Sequence, residues 1–312
     1  MRALITGGAG FIGSHLLERL VSQDVEVTIL DNLSSGSKKN IHPSLNKGNA
    51  HFMRGDCTQT SDVEEALKDV DTVFHLSANP EVRLELNDPK TCFQQNIYAT
   101  HILLEAMRRS QIHTIIFTST STVYGDAKIT PTPETYPTRP ISLYGASKLA
   151  SEALITSYAY TYNWNTLILR LANTVGPRST HGVLSDFINQ LKKDPTTLEI
   201  LGDGTQTKSY LHIHDCIDAL LTALQQTKDQ VSILNIGSED QVNVQDIAKT
   251  VVEEMGLQNV TFHFTGGVDG GRGWKGDVKN MLLDVSQIKT LGWRCRYNSA
   301  DAVRRTIRAL LE

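Results

Sequence analysis

Through its first half this chain alternates short apolar, β-branched runs with longer segments of helical period. That alternation constrains its fold more than any other feature. Arg2 to Thr6, Val25 to Leu30, His51 to Met53, Thr72 to Leu76, Thr114 to Ser119 and Thr166 to Leu171 read as strands. Phe11 to Ser22, Ser61 to Lys68, Pro89 to Ser110 and Tyr144 to Tyr162 read as helices between them. Strand and helix in strict alternation require right-handed crossovers, so the strands form a buried parallel sheet with helices on both faces, a doubly wound α/β fold. Ligands of such sheets sit at the carboxyl ends of the strands, near the point where strand order reverses. After Leu171 the pattern loosens. The expected division is a first domain over 1–172 and a smaller α/β domain over 173–312, with 209–236 able to return and pack on the first.

Composition removes several classes of function. The 312 residues carry 30 Lys+Arg against 34 Asp+Glu, a net charge of −4, with 40% hydrophobic residues. A mildly acidic chain lacks the clustered positive charge that nucleic acids and anionic membranes require, and no apolar run reaches the length of a membrane span. Four cysteines, Cys57, Cys92, Cys216 and Cys295, stand far apart without CxxC spacing. Such thiols fit a reduced, cytoplasmic protein better than a disulfide framework or a zinc site. Ten of the 22 glycines fall in two short stretches, Gly7 to Gly13 and Gly266 to Gly276.

The first stretch follows the first strand directly. Gly7, Gly10 and Gly13 are spaced GxxGxxG at the opening of a helix, where free N–H groups and the helix dipole attract a pyrophosphate. Any strand-to-helix turn can carry glycines, so the motif alone is weak. Asp31 strengthens it: the residue ends the second strand, 18 positions past Gly13, where a carboxylate accepts both hydroxyls of an adenosine ribose. The same carboxylate repels a 2′-phosphate, which favours NAD over NADP. Asp56, after the third strand, is placed either to meet the adenine amino group or to cap the next helix.

The fifth strand ends in Thr118-Ser119-Thr120-Ser121-Thr122, an unusual density of hydroxyls. These could simply satisfy the backbone where a strand frays. Beyond them, Tyr144 and Lys148 stand at i and i+4, on one face of a helix. Joined to the glycine turn and Asp31, this pair becomes a specific signal.

On these residues the chain resembles the extended short-chain dehydrogenase/reductase superfamily and, within it, the UDP-glucose 4-epimerase family. GGAGFIGSH, DNLSSG, STSTVYGD, YGASK, RLANTVGPR and GDGTQTKSYLHIHD follow one another in family order across essentially the whole chain. The resemblance implies a Rossmann-type domain holding NAD tightly, a carboxyl-terminal domain closing over a UDP-sugar substrate, and a homodimer joined through long helices. It implies Tyr144 as catalytic base, Lys148 as its partner and Thr120 as the triad hydroxyl. For the cofactor it implies Gly7, Gly10, Phe11, Ile12, Gly13, Asp31, Asn32, Ser35, Gly36, Asp56, Cys57, Leu76, Ser77, Ala78, Asn96, Thr118, Tyr144 and Lys148. For the substrate it implies Thr120, Thr122, Tyr144, Asn173, Lys208, Tyr210, Arg272 and Asp277.

The chemistry explains these residue types. A free phenol has a pKa near 10 and is a poor base at neutral pH. A lysine cation about 6 Å away, at an effective dielectric of ~20, favours the phenolate by roughly 2.8 kcal/mol, or two pKa units. Desolvation opposes this. Tyr144 could then remove the sugar 4-hydroxyl proton while hydride leaves C4, with Thr120 bonded to the reacting oxygen.

Related enzymes share this first stage and diverge afterwards. Nucleotide-sugar 4,6-dehydratases carry an Asp-Glu pair after the triad hydroxyl, and decarboxylating relatives a glutamate. Here Ser121 and Thr122 stand there, so the resemblance points to UDP-glucose 4-epimerisation. Other UDP-sugar epimerases, acting on N-acetylhexosamines or uronic acids, share the same triad. A non-catalytic NAD-binding regulator is a further alternative.

Lys208 occupies the place where most relatives set an arginine against the diphosphate, and Trp274 another such place. In the second glycine stretch Arg272 or Lys275 could supply phosphate charge and Asp277 could contact ribose; a mobile surface loop with Trp274 in the core is the plainer reading. Met281 resembles the position that sets room at the sugar C2 substituent. His75 reads as a packed structural histidine. His181, His212 and His214 lack metal-ligand spacing, so no metal is expected.

Overall fold

In the computed structural model of the protein, residues 1–79 and 88–312 are described. The central sheet is built from β1 (Arg2–Thr6), β2 (Glu26–Asp31), β3 (Ala50–Arg54), β4 (Thr72–His75), β5 (Thr114–Thr120), β6 (Asn165–Leu171) and an edge strand, Val231–Ile236. Across the sheet the order is Val231–Ile236, β6, β5, β4, β1, β2, β3. β1 runs parallel to both neighbours, with Ile5 opposite Ile29 on one side and Phe74 on the other. The chain therefore builds outward from β1 to β3, crosses back to β4 and continues the opposite way. The reversal lies between β1 and β4, and the loops after those two strands are Gly7 to Gly10 and Leu76 to Asn79.

The chain resolves into two compact units, one of residues 1–123, 143–170 and 220–234, the other of 124–142, 171–219 and 235–312. In the first, the helix Phe11–Ser22 buries Leu16, Leu17, Leu20 and Val21 at helical spacing, and Ala99–Arg109 buries Ile102, Leu103, Ala106 and Met107. The helix Leu143–Tyr162 differs: with Ile155 and Ala159 it buries Ser147, Lys148, Ser151 and Glu152. A polar stripe inside a core has to be bonded throughout, and its partners organise the site.

Several elements depart from the sequence reading. The stretch 89–110 is not one uniform helix: Pro89–Cys92 leads into a π-helical turn, Phe93–Tyr98, before Ala99–Arg109. Lys38–Leu45 forms an additional helix, capped by the Ser37 hydroxyl despite Pro43 within it. Val231–Ile236 supplies the seventh strand.

The second unit has its own core, in which Phe187, Leu198, Ile200, Ile247, Val251, Val303 and Ile307 pack together. Its short strands pair Tyr210–His212 with Asn173–Val175, and Thr207–Lys208 with both Val242–Asn243 and Asn280–Met281. No helix among the described residues is long and apolar enough to cross a membrane.

Candidate active site

The glycine turn is compact. The Gly7 N–H donates to the Leu30 carbonyl at 2.9 Å, and the Gly10 N–H to the Gly7 carbonyl at 3.1 Å. A Cβ on Gly13 would lie 2.3 Å from the Gly7 oxygen, so only glycine allows the helix to start so close to the strand. Gly10 caps that helix with no side-chain bond, and Phe11, Ile12 and Gly13 form the first turn, whose N–H groups have no partners within the helix.

Asp31 is buried at the end of β2 and accepts N–H groups from Ala9 at 2.9 Å and Leu33 at 2.8 Å, one on each oxygen. An ionised carboxylate has about four lone-pair sites, which leaves capacity for a ribose diol. Gly36 packs on Ala9, and Ser35 beside it is exposed. Asn32 donates to Asp56 at 2.8 Å, while the Thr58 N–H and hydroxyl bond the other Asp56 oxygen. Burial works to raise the Asp56 carboxyl, but the bonds from Thr58 and Asn32 outweigh it and hold it below its ordinary value. Burial pushes the neighbouring Cys57 thiol up to about 12, so it packs as a neutral group.

On the other side of the reversal, the Leu76 and Ser77 N–H groups bond the Thr6 carbonyl and hydroxyl, and Ala78 is half-buried. The Asn79 N–H donates to Asn96 Oδ1 at 2.7 Å, and Asn96 Nδ2 donates to the Ser147 hydroxyl at 2.8 Å. Asn96 thus joins the loop after β4 to the Tyr144 helix. His75 lies between the hydroxyls of Thr6 at 2.8 Å and Thr100 at 3.0 Å, and burial, with the Lys148 charge, lowers it to about 3. It is a neutral, packed histidine.

The hydroxyls at the end of β5 have distinct environments. Thr118 is buried, and the Ser119 hydroxyl donates to the Glu152 carboxylate. Thr120 Oγ1 lies 3.1 Å from Thr122 Oγ1 and accepts the Thr122 N–H. Half-buried Tyr144 opens the helix Leu143–Tyr162, and its carbonyl accepts the Ser147 hydroxyl at 2.8 Å.

Lys148, one turn further on, is only 2% exposed, and its Nζ lies 4.1 Å from the centroid of the Phe117 ring. Burial lowers it to about 7, against opposing pulls from Glu152 and Cys92. Glu152, another turn on, accepts Arg170 Nε at 3.0 Å and Nη2 at 2.7 Å in a buried bidentate pair. Sequence reading passed over Glu152, although its i+4 step from Lys148 continues the Tyr144 spacing; no sequence signal marks Arg170 as its partner.

In the second unit Tyr210 lies opposite Asn173, which hydrogen-bonds it. Burial, and then the Asp277 charge, drive the Tyr210 phenol up. Lys208 Nζ lies 2.6 Å from Asp277 Oδ1 and 5.4 Å from the centroid of the Trp274 ring. Asp277 is buried and also accepts the Gly273 N–H. Arg272 forms a two-pronged pair with Asp126, at 2.9 and 2.7 Å, and donates to the Asp277 carbonyl. Lys275 is exposed, and Met281 is buried next to the Lys208 strand. Asp126 closes the STSTVYGD motif, but nothing in the sequence pairs it with Arg272. Among the described residues no group of three His, Cys, Asp or Glu side chains is placed to hold a metal ion.

The reversed strand order, the glycine-lined helix start, the buried carboxylate at the end of β2 and the tyrosine-lysine helix are the arrangement of a dinucleotide-binding α/β protein. Comparison with known proteins agrees. Residues 3–237 match the NAD dependent epimerase/dehydratase family. A putative UDP-glucose 4-epimerase of Methanocaldococcus jannaschii is 33% identical over 97% of this chain and 96% of its own. A human dTDP-D-glucose 4,6-dehydratase is 30% identical over 98% of this chain and 89% of its own. A crystal structure of a UDP-galactose 4-epimerase superposes with a TM-score of 0.89 at 42% identity, covering 100% of this chain and 99% of that one.

The chain belongs to the NAD dependent epimerase/dehydratase family. It is an enzyme of that family, and NAD is its cofactor. The cradle at Gly7 to Gly13 and Asp31 fits that cofactor, since it presents backbone donors to the pyrophosphate and a carboxylate to the ribose.

Proposed function

We propose that the protein is a UDP-glucose 4-epimerase that interconverts UDP-galactose and UDP-glucose through a 4-keto sugar. The observation that carries this reading is the pair Ser121 and Thr122 directly after Thr120. Dehydration across C5 and C6 needs an acid and a base at this point, and two hydroxyls provide neither near neutral pH. The site is thus equipped for oxidation at C4 and its reversal.

NAD held at the glycine turn and Asp31 would supply the acceptor for the C4 hydride and its return to the opposite face of the sugar. Tyr144 takes the 4-hydroxyl proton as that hydride leaves and gives it back in the return step, so no net redox change results. Thr120 hydrogen-bonds the reacting oxygen. Lys148 sets its charge below Tyr144 and favours the phenolate. For the nucleotide sugar we assign Thr122, Asn173, Lys208, Tyr210, Arg272 and Asp277. The Lys208–Asp277 and Arg272–Asp126 pairs hold these charges ready, and an incoming diphosphate competes with the carboxylates for them.

The first unit supports a homodimer. Its packed helices leave Phe93, Tyr98, Tyr160 and Tyr162 exposed, Tyr160 by 67%, and clustered exposed aromatic side chains are a feature of association surfaces.

The test is incubation of the purified protein with UDP-galactose, without added NAD, followed by proton NMR for the C4 epimer. UDP-N-acetylglucosamine and UDP-glucuronate serve as parallel substrates. Epimer from UDP-galactose is expected; none from any of the three, with NAD demonstrably bound, overturns the reading.

A further inference from the structure

The buried face of the Tyr144 helix continues past the expected catalytic pair. Tyr144, Lys148 and Glu152 follow one another at single-turn intervals, and Lys148 and Glu152 are 2% and 3% exposed. The Glu152 carboxylate is fixed from two strands. Arg170 on β6 grips it with Nε and Nη2, and Ser119 on β5 donates its hydroxyl. Ser119 immediately precedes Thr120, so one carboxylate ties the Lys148 helix to the strand end bearing the triad hydroxyl.

We propose that Glu152, oriented by Arg170 and Ser119, is a positioning residue that keeps the Lys148 ammonium charged within the core. The inference rests on the epimerase reading for its kinetic test alone. A lysine removed from water with only an aromatic ring against it gives up its proton readily. Of the groups facing Lys148, His75 from β4 is neutral, Phe117 from β5 offers a ring face, and Cys92 comes from the short helix Pro89–Cys92. Glu152 on its own helix supplies the carboxylate. Arg170 engages both oxygens of that carboxylate, which orients it and offsets the cost of burying it. Burial draws Lys148 down to about 7, with Glu152 the first group opposing it. Without Glu152 the lysine would lose its charge in the pH range where Tyr144 must act.

The test uses the holoenzyme and the double variant Glu152→Gln/Arg170→Gln, which removes the carboxylate without stranding a buried guanidinium. In the pH profile of kcat for UDP-galactose, the alkaline limb is expected to move down by about one pH unit. Glu152→Asp keeps the charge and is expected to keep the limb within about 0.3 unit, with kcat reduced several-fold because the carboxylate recedes. A direct readout needs no turnover: in protein carrying 13C-labelled lysine, the Lys148 titration, assigned with Lys148→Met, is expected to fall by the same amount in the double variant. A lower kcat with the limb and the Lys148 midpoint unmoved overturns the inference, as does a limb in Glu152→Asp displaced as far as in the double variant. Should the wild-type protein epimerise nothing, the epimerase reading fails alone, and the NMR titration still decides for Glu152.

Discussion

The two glycine-rich segments do different physical work. At Gly7 and Gly13 the crowding is backbone on backbone, and what the turn offers a ligand is N–H groups. Between Gly266 and Gly276 the glycines shape a hairpin in which Val268 and Arg272 bridge and whose Arg272 is engaged with the Asp126 carboxylate. Gly271 has φ +88°, and a Cβ there would meet Asp203 Oδ2 at 1.9 Å. The first segment is therefore fixed by main-chain geometry and tolerates almost no substitution. The second presents its chemistry on side chains, which can be exchanged one at a time. On the proposed assignment, cofactor binding would rest on the kind of interaction that resists change, and substrate contacts on the kind that accommodates it.

The sharpest division between the regions comes from Tyr144→Phe. It removes only the phenolic oxygen, so kcat should fall by about 10² to 10⁴ while NAD stays bound; a stopped assay with released NAD measured by absorbance checks both, and normal turnover would refute the assigned base.

Next in size is Gly13→Ala. The added methyl meets the Gly7 carbonyl, so NAD retention after gel filtration should weaken ten-fold or more, about 1.4 kcal/mol. Gly271→Ala should leave NAD retention intact and raise only KM. Equal NAD loss in both variants would break the comparison.

Lys148→Met tests what the buried site costs the fold. The lysine sits near 7 when folded and near 10.4 when free, so the unfolded chain binds the extra proton between those values. Stability from this group therefore rises with pH across that window. The variant should lose activity yet melt several degrees higher than wild type near pH 7, with a flatter dependence on pH up to about 10. A lower Tm in calorimetry would contradict the burial cost.

Arg272→Ala should raise KM for UDP-galactose about five- to ten-fold and move Tm by less than ~2 °C, because Asp126 is half exposed and such pairs contribute about 0 to 1 kcal/mol. Unchanged affinity would detach the second glycine segment from substrate binding. At the acid end, His75 has a stability effect comparable to that of Lys148. Its folded value near 3 lies below the free value near 6.5, so stability falls as pH drops from about 6.5 toward 3. His75→Gln should flatten that part of an acid-denaturation curve.

Much of the first unit was legible because its signals are local. A buried parallel strand is apolar throughout, and the amphipathic helices Phe11–Ser22 and Ala99–Arg109 bury apolar residues at a period of about 3.6. What escaped depends on distant partners. Val231–Ile236 reads Val-Ser-Ile-Leu-Asn-Ile, ambiguous until β6 lies beside it. Lys38–Leu45 is polar and contains a proline, so its helix rests on the Ser37 cap and the packing of Ile41. The π-helical turn at Phe93–Tyr98 shifts backbone bonding with no residue type to announce it. At the site, the glycine turn and the Tyr144 to Lys148 spacing were readable in one dimension. The Glu152–Arg170 pair, 18 residues apart on a helix and a strand, exists only in three.

The interleaving of the chain bears on how such an enzyme can change over generations. The polypeptide passes between its two units five times, so neither is a continuous stretch of gene. Recombination cannot deliver a new second unit in one exchange without cutting the first unit as well. A change of substrate preference has to accumulate in place, substitution by substitution, in segments such as 124–142 that are spliced covalently between Thr120 and Tyr144.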